Sequence, residues 1–125
     1  MEIRLFNEND SIVELTEVIH KAYRQLADLG FNYWGTHQTI DDTKTRISSG
    51  ECYICIDHSK ILGTILLKYS RDKSPYPDYA QKNLATFHQF AVLPEYQKKG
   101  IGVSLLEFVE KQALDFGAEE LACDT

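Results

Sequence analysis

The sequence predicts a single α+β domain, spanning residues 1–125, in which helices flank a mixed and mostly antiparallel sheet. Apolar residues recur at helical spacing in two stretches, 12–29 and 99–116. Residues 51–57 and 61–69 are β-rich, apolar and separated by a short polar turn, which predicts an antiparallel hairpin. A strand–helix–strand unit near the C-terminus is long enough to join parallel neighbours. The predicted order is β-α-α-β-β-β-α-β.

The ends of these elements carry local signals. Ser11 and Glu14 form a predicted capping box at the first helix, in which each side chain satisfies an orphan backbone amide, and Gly30 ends that helix. Thr39 and Asp42 begin a second, shorter helix. The five predicted strands are residues 3–6, 51–57, 61–69, 84–92 and 119–123.

The composition excludes several classes of function. The chain carries 13 basic and 19 acidic side chains, a net charge of −6, without the lysine and arginine cluster that nucleic-acid binding requires. An acidic surface favours a cationic substrate such as an amine. No apolar run approaches the ~20 residues of a membrane span, and the N-terminus lacks the features of a secretory signal. We therefore expect a cytoplasmic protein that binds neither nucleic acid nor membrane.

Cys52 and Cys55 form a C-x-x-C pair, a spacing found in zinc and redox sites. Their alternation with Ile54 and Ile56 predicts a strand, on which side chains three residues apart point to opposite faces. No second C-x-x-C and no histidine pair completes a tetrahedral site. We therefore expect buried structural thiols and no metal ion.

The segment before the last helix has the features of an anion site. A loop that leads into a helix presents unpaired N–H groups, to which the helix dipole adds positive potential. Gly100 and Gly102 lack the Cβ atoms that would keep a phosphate oxygen from the backbone, and Lys98 and Lys99 add charge. The segment is neither a Walker loop nor a Rossmann fingerprint, since Leu105 replaces the third glycine of the latter. Two glycines alone are more typical of a closely packed helix N-terminus than of a phosphate site.

The fuller motif resembles the signature V-x-P-x-x-[QR]-x-x-G-x-[GA] of the GNAT acetyltransferases, which Val92, Pro94, Gln97, Gly100 and Gly102 match in register. The element order matches too, so the resemblance covers essentially the whole chain. It implies the GNAT acyl-CoA N-acyltransferase fold and an enzyme that moves an acetyl group from acetyl-CoA to a primary amine by direct attack. The amine would belong to a small molecule or a peptide. A catalytically idle acyl-CoA-binding module and a purely structural domain are the alternatives.

The resemblance also implies roles for individual residues. Backbone groups of Phe90 and Val92 would pair with the pantetheine arm as another strand would, and an amide near Phe90 or Ala91 would polarise the acetyl carbonyl. Backbone amides of the following loop would hold the coenzyme A pyrophosphate; they belong to Gln97, Lys98, Lys99, Gly100, Ile101, Gly102 and Val103.

Two further assignments concern the amine. His88, which we expect on the strand face of Phe90 and Val92, is the candidate general base, and the alternative is a histidine satisfied within the sheet or lining the pocket. Members of this family commonly select the amine between the first two helices. An aromatic cluster there either encloses an amine through cation–π contact or forms a lid over the core. The cluster consists of Phe31, Tyr33, Trp34 and His37.

Family members continue beyond the fifth strand with another helix and two more strands, which we expect this chain, ending at Thr125, to lack. The outer edge of the fifth strand would then be exposed. Because free strand edges recruit partners, we expect two copies of the chain to form a homodimer through that edge.

Overall fold

The computed structural model describes residues 1–28, 30, 38–71 and 83–123. The elements are β1 (Glu2–Leu5), α1 (Ile12–Asp28), α2 (Ile40–Ser48), β2 (Glu51–Asp57), β3 (Lys60–Arg71), β4 (Asn83–Val92), α3 (Ile101–Phe116) and β5 (Glu120–Cys123). A 3-10 turn, Pro94–Tyr96, lies between β4 and α3. This is the predicted order, and the predicted fold class is confirmed.

The strands form one sheet in the order β1-β2-β3-β4-β5. Neighbours are antiparallel except for β4 and β5, where Leu84–Phe87 runs parallel to Glu120–Cys123. A parallel pair needs a long crossover, and α3 provides it. The strand–helix–strand unit predicted near the C-terminus is therefore confirmed.

Helices cover both faces of the sheet. α1 and α2 pack against each other on one face. On the other face α3 brings Phe108 within 5.1 Å of Tyr53 and Phe116 within 4.3 Å of Tyr69, measured between ring centroids. Fully buried residues from all three layers form one core, among them Leu15, Ile19, Ile54, Ile65, Leu67, Leu105 and Val109. None of the helices in the described ranges combines the length and apolar character that crossing a bilayer demands.

The two capping signals have different outcomes. α2 begins with a complete box, because Thr39 Oγ1 accepts from the Asp42 amide and the Asp42 carboxylate accepts from the Thr39 amide. At α1 only half of the predicted box forms, with Ser11 Oγ accepting from the Glu14 amide at 3.1 Å. The Glu14 carboxylate instead accepts from the Ile61 amide at 3.0 Å, so it ties α1 to β3. A tertiary donor has replaced the local one.

Both thiols of the C-x-x-C pair are buried, on opposite faces of the sheet. Cys52 pairs across the sheet with Leu66, and its Sγ lies 3.4 Å from Thr64 Oγ1, whereas Cys55 pairs with Gly63. Burial raises the pKa of Cys52 to about 11 and also raises the pKa of Cys55. Both thiols therefore stay protonated at neutral pH, as structural residues do. Within the described ranges no group of three or more His, Cys, Asp or Glu is placed to hold a metal ion.

Candidate functional site

Strand β4 contains a bulge at Gln89 and Phe90. The register with β3 shifts by one residue there, so that two residues of β4 oppose Ile65. Gln89 takes a left-handed φ of 51°. A bulge of this kind bends a strand and re-aims the side chains that follow it, and bulges are common beside active sites.

The bulge reverses the face on which the later residues of β4 lie. Phe87 and Phe90, three positions apart, share the face toward α3, with ring centroids 6.0 Å apart. Val92 lies on this face too, since it pairs with Gly63. His88 lies on the opposite face, together with Ala91. The prediction that His88 shares a face with Phe90 and Val92 is therefore wrong, because it assumed unbroken alternation.

A cavity of about 240 Å³ lies between α1 and the part of β4 that follows the bulge. Four of its lining residues are among the coenzyme-binding residues that the family resemblance implies, and the three from α1 are not. The lining consists of Ala22, Tyr23, Gln25, Phe90, Ala91, Val92 and Gln97.

Two backbone carbonyls of β4 lie at the wall of this cavity. The Tyr23 hydroxyl donates to the Phe90 carbonyl at 3.3 Å, and Gln97 Nε2 donates to the Val92 carbonyl at 3.2 Å. Carbonyls two residues apart on a strand point to the same side. The two side chains therefore donate where the amides of a neighbouring strand would donate.

The chain passes from the cavity into α3 through two left-handed residues, Lys98 with a φ of 67° and Gly100 with a φ of 81°. Gly100 is the N-cap and has no side chain with which to cap the helix. The first bond of the helix runs from the Ser104 amide to the Gly100 carbonyl at 2.9 Å. The amides of the first turn, Ile101–Val103, consequently have no partner within the helix and remain available as donors.

The two glycines of the motif have different surroundings. A Cβ atom added at Gly100 would meet nothing within 4 Å, so the open side of this residue is free for a ligand. At Gly102 the same atom would lie 3.4 Å from Phe90 Cζ and 3.8 Å from Val92 Cγ2. Gly102 therefore faces the sheet. A Cβ atom at this position would point at the sheet, at ordinary van der Waals distances, so the prediction that its absence clears the way for a phosphate is wrong.

Positive charge gathers beside the loop in a chain whose net charge is −6. Lys98 and Lys99 are exposed. The Nζ atoms of Lys60 and Lys99 each lie 5.2 Å from the centroid of the Tyr96 ring. Lys60 Nζ also lies 3.9 Å from Glu95 Oε1. Together with the helix N-terminus, these lysines make the loop a surface suited to an anion.

A family model described as the acetyltransferase (GNAT) family matches residues 14–125. The chain belongs to this acetyltransferase family. The matched residues include those of the cavity, the bulge and the loop.

Two curated relatives come from Bacillus subtilis (strain 168). S-(2-succino)cysteine N-acetyltransferase is 32% identical over 111 residues, which are 89% of this chain and 64% of that protein. S-alkylcysteine N-acetyltransferase is 24% identical over 101 residues, which are 81% of this chain and 54% of that protein. The chain thus spans between half and two thirds of the length of these relatives.

A solved GNAT family acetyltransferase from Brucella melitensis, in complex with acetyl-CoA, superposes with a TM-score of 0.73. The superposition covers 96% of this chain and 72% of that one, at 21% sequence identity. At this identity the likeness establishes the fold, which agrees with the family match.

The predicted coenzyme-binding residues of this GNAT chain lie along the cavity and in the loop that follows it. Phe90, Ala91, Val92 and Gln97 surround one cavity, and the loop through Val103 follows it directly. Sequence reasoning missed Tyr23, although its place beside the apolar stripe of α1 is a weak signal. The predicted acceptor cluster, Phe31, Tyr33, Trp34 and His37, lies outside the described residues.

Proposed function

We propose that this GNAT chain is an N-acetyltransferase that transfers an acetyl group from acetyl-CoA to the amine of an S-substituted cysteine. One observation carries the proposal. The edge of β4 that bears the Phe90 and Val92 carbonyls lies at the wall of a cavity and leads directly into the uncapped N-terminus of α3.

This geometry suits the two polar ends of a coenzyme. The amide groups of pantetheine would take over the hydrogen bonds that Tyr23 and Gln97 now donate to the β4 carbonyls. The pyrophosphate would accept from the amides of the first turn of α3, which carry no intrahelical partner, with Lys98 and Lys99 adding charge.

The proposed reaction is a direct transfer. The lone pair of the amine attacks the thioester carbonyl carbon, and the carbonyl oxygen takes the negative charge, which an amide near Phe90 or Ala91 would stabilise. Collapse restores the C=O bond and breaks the C–S bond. The amine loses a proton to a base, and the coenzyme A thiolate gains one. Positioning and oxyanion stabilisation supply most of the rate in such a reaction.

We retain His88 as the proposed base. It shares its strand face with Ala91, which lines the cavity, and its Nε2 lies 2.8 Å from Thr86 Oγ1. If His88 accepts the amine proton, kcat/KM should fall in acid as the imidazole becomes protonated, and His88→Ala should flatten that limb. An unchanged profile would leave water as the base.

The acceptor class rests on the names of the two Bacillus subtilis relatives, both of which acetylate S-substituted cysteines. The same compounds provide a sharp test. Acetyl-CoA binding is measured by calorimetry, and coenzyme A release is measured with S-(2-succino)cysteine, an S-alkylcysteine and a lysine-containing peptide. The N-acetylated form of each cysteine is the matched control, because it lacks the free amine.

We expect acetyl-CoA to bind and the free S-substituted cysteines to give faster release than the peptide or the controls. Faster turnover of the peptide would refute the acceptor class. Binding without turnover of any amine would identify an acyl-CoA-binding module, and absence of binding would refute the proposed function as a whole.

A further inference from the structure

A buried polar cluster lies between α1, α2 and the bulge of β4. Its members are almost fully enclosed, with exposed fractions of 3% for Thr16, 1% for Gln38, 0% for Thr43 and 5% for Gln89. Buried polar groups are costly unless they are hydrogen-bonded, so such clusters usually fix a particular arrangement of the elements around them.

Gln38 is the centre of this cluster. Its Nε2 donates to Thr43 Oγ1 at 2.9 Å and to Gln89 Oε1 at 2.9 Å, which uses both of its protons. Its backbone carbonyl contacts the ring Nε2 of His20 on α1. Gln38 thus joins α1, the beginning of α2 and the bulge of β4.

Gln89 depends on this connection. Its Oε1 accepts from Gln38, while its Nε2 is buried without a partner among the described residues. Its φ of 51° is also unfavourable for a residue other than glycine. A strained residue with an orphan donor persists only where its surroundings hold it. Among the contacts described for its side chain, the bond from Gln38 is the one that does so.

We propose that Gln38 is a positioning residue for the acyl-binding end of β4. By holding the Gln89 carboxamide it fixes the bulge, and the bulge sets the direction of the backbone groups of Phe90 and Ala91 beside the cavity. This inference rests on the proposed function, since it assigns those groups to the thioester. In the sequence Gln38 directly follows His37, a member of the aromatic cluster that was predicted either to enclose the amine or to form a lid.

The test compares two variants that each remove buried hydrogen bonds. Gln38→Leu breaks the connection to the bulge. Thr16→Val is the matched control, because the two bonds described for Thr16 Oγ1, to Thr43 Oγ1 at 2.8 Å and to the Ile12 carbonyl at 2.9 Å, do not reach β4. We expect both to lose stability. Only Gln38→Leu should weaken acetyl-CoA binding, by about tenfold against less than about twofold for the control.

A second readout does not need the ligand. Amide NMR shifts of Phe90 and Ala91 in the free protein should move in Gln38→Leu and stay in place in Thr16→Val. In Gln38→Glu the ionised carboxylate has no proton to donate to Gln89 Oε1, so the same two shifts should move in that variant as well.

Unchanged shifts and binding in Gln38→Leu, with stability lost as in the control, would overturn the inference. If Gln38→Leu does not fold, Gln89→Leu removes the same bond from the other side and replaces it in every measurement. A wild-type chain that does not bind acetyl-CoA would refute the proposed function, whereas the shifts of Phe90 and Ala91 would still decide whether Gln38 holds the bulge.

Discussion

The hairpin of β2 and β3 and the unit of β4 and α3 both contain two left-handed residues other than glycine. In the hairpin they are His58, with a φ of 48°, and Ser59, with a φ of 64°, and they form the two-residue turn. In the second unit they are Gln89, with a φ of 51°, and Lys98, with a φ of 67°. One lies in the bulge and the other lies in the loop before α3.

The same local conformation serves different ends in the two regions. In the hairpin it only reverses the chain, since two positive φ values match the twist of the paired strands, and the His58 side chain is 95% exposed. In the second unit the left-handed residues precede functional backbone. Gln89 comes just before the residues of β4 that line the cavity, and Lys98 lies in the loop that leads to the N-terminus of α3. Strain in the hairpin therefore concerns stability alone, and strain near the cavity concerns ligand binding as well.

The largest expected difference is chemical, because the interior of the hairpin should be inert. Burial raises the pKa of Cys52 from 9.0 to about 11, so at pH 8 its thiolate fraction is roughly 100-fold below that of an ordinary thiol. Iodoacetamide should alkylate Cys52 at least about 100-fold more slowly in the folded chain than in urea. Peptide mass spectrometry after timed quenching measures this, and similar rates in both states would contradict it.

The same thiol gives a pH dependence whose sign can be stated. Between pH 9 and about 11 the unfolded thiol loses its proton while the folded thiol keeps it. The unfolded state then binds fewer protons, so the free energy of unfolding falls as pH rises through this window. Below pH 9 this thiol makes stability neither rise nor fall with pH.

The second prediction compares two glycines at opposite ends of α3. Gly100 has a φ of 81° and Gly117 a φ of 96°, and neither has a neighbour within 4 Å of an added Cβ. A β-branched residue is strained at both, so Gly100→Val and Gly117→Val should cost similar stability. Only Gly100→Val should weaken acetyl-CoA binding, by at least about tenfold, as calorimetry would show. Equal acetyl-CoA affinities in the two variants would contradict the assignment of the pyrophosphate site to this loop.

The smallest expected effect comes from glycine substitutions at one left-handed residue of each region, Ser59 in the hairpin and Gln89 in the bulge. Ser59→Gly removes strain from the turn and should raise the free energy of unfolding by roughly 0.5–1 kcal/mol, without changing acetyl-CoA binding. Gln89→Gly removes similar strain but also the bond from Gln38, so it should weaken binding. Urea denaturation and calorimetry measure both quantities. A gain in affinity for Gln89→Gly would show that the bulge does not need its side chain.

The parts of the fold that could be predicted depend on local patterns. Helical periodicity and the residues at helix ends gave α1, α2 and α3, and the spacing from Val92 to Gly102 gave the family. The bulge could not be placed, because the residues of β4 fit an unbroken strand as well as a bulged one, and an unbroken strand puts His88 on the face of Phe90 and Val92. The adjacent polar residues His88 and Gln89 are the one local sign of it.

The rest of the site depends on tertiary contacts. Whether Gly102 faces a ligand or the sheet is decided by the distance between α3 and Phe90, which no motif contains. The contribution of Tyr23 to the cavity likewise depends on how α1 lies across β4. Such distances between elements are set by packing and leave little trace in a single sequence.

The strand order of the sheet also bears on how the molecule assembles. Strands that are neighbours in the sheet are neighbours in the chain. Closing the two-residue turn between β2 and β3 orders few residues, whereas β1 joins through α1 and α2, and β5 joins through α3. This order favours growth of the sheet outward from the central hairpin. The cavity and its loop lie outside that hairpin, so we expect them to form after it and to open more readily than it does.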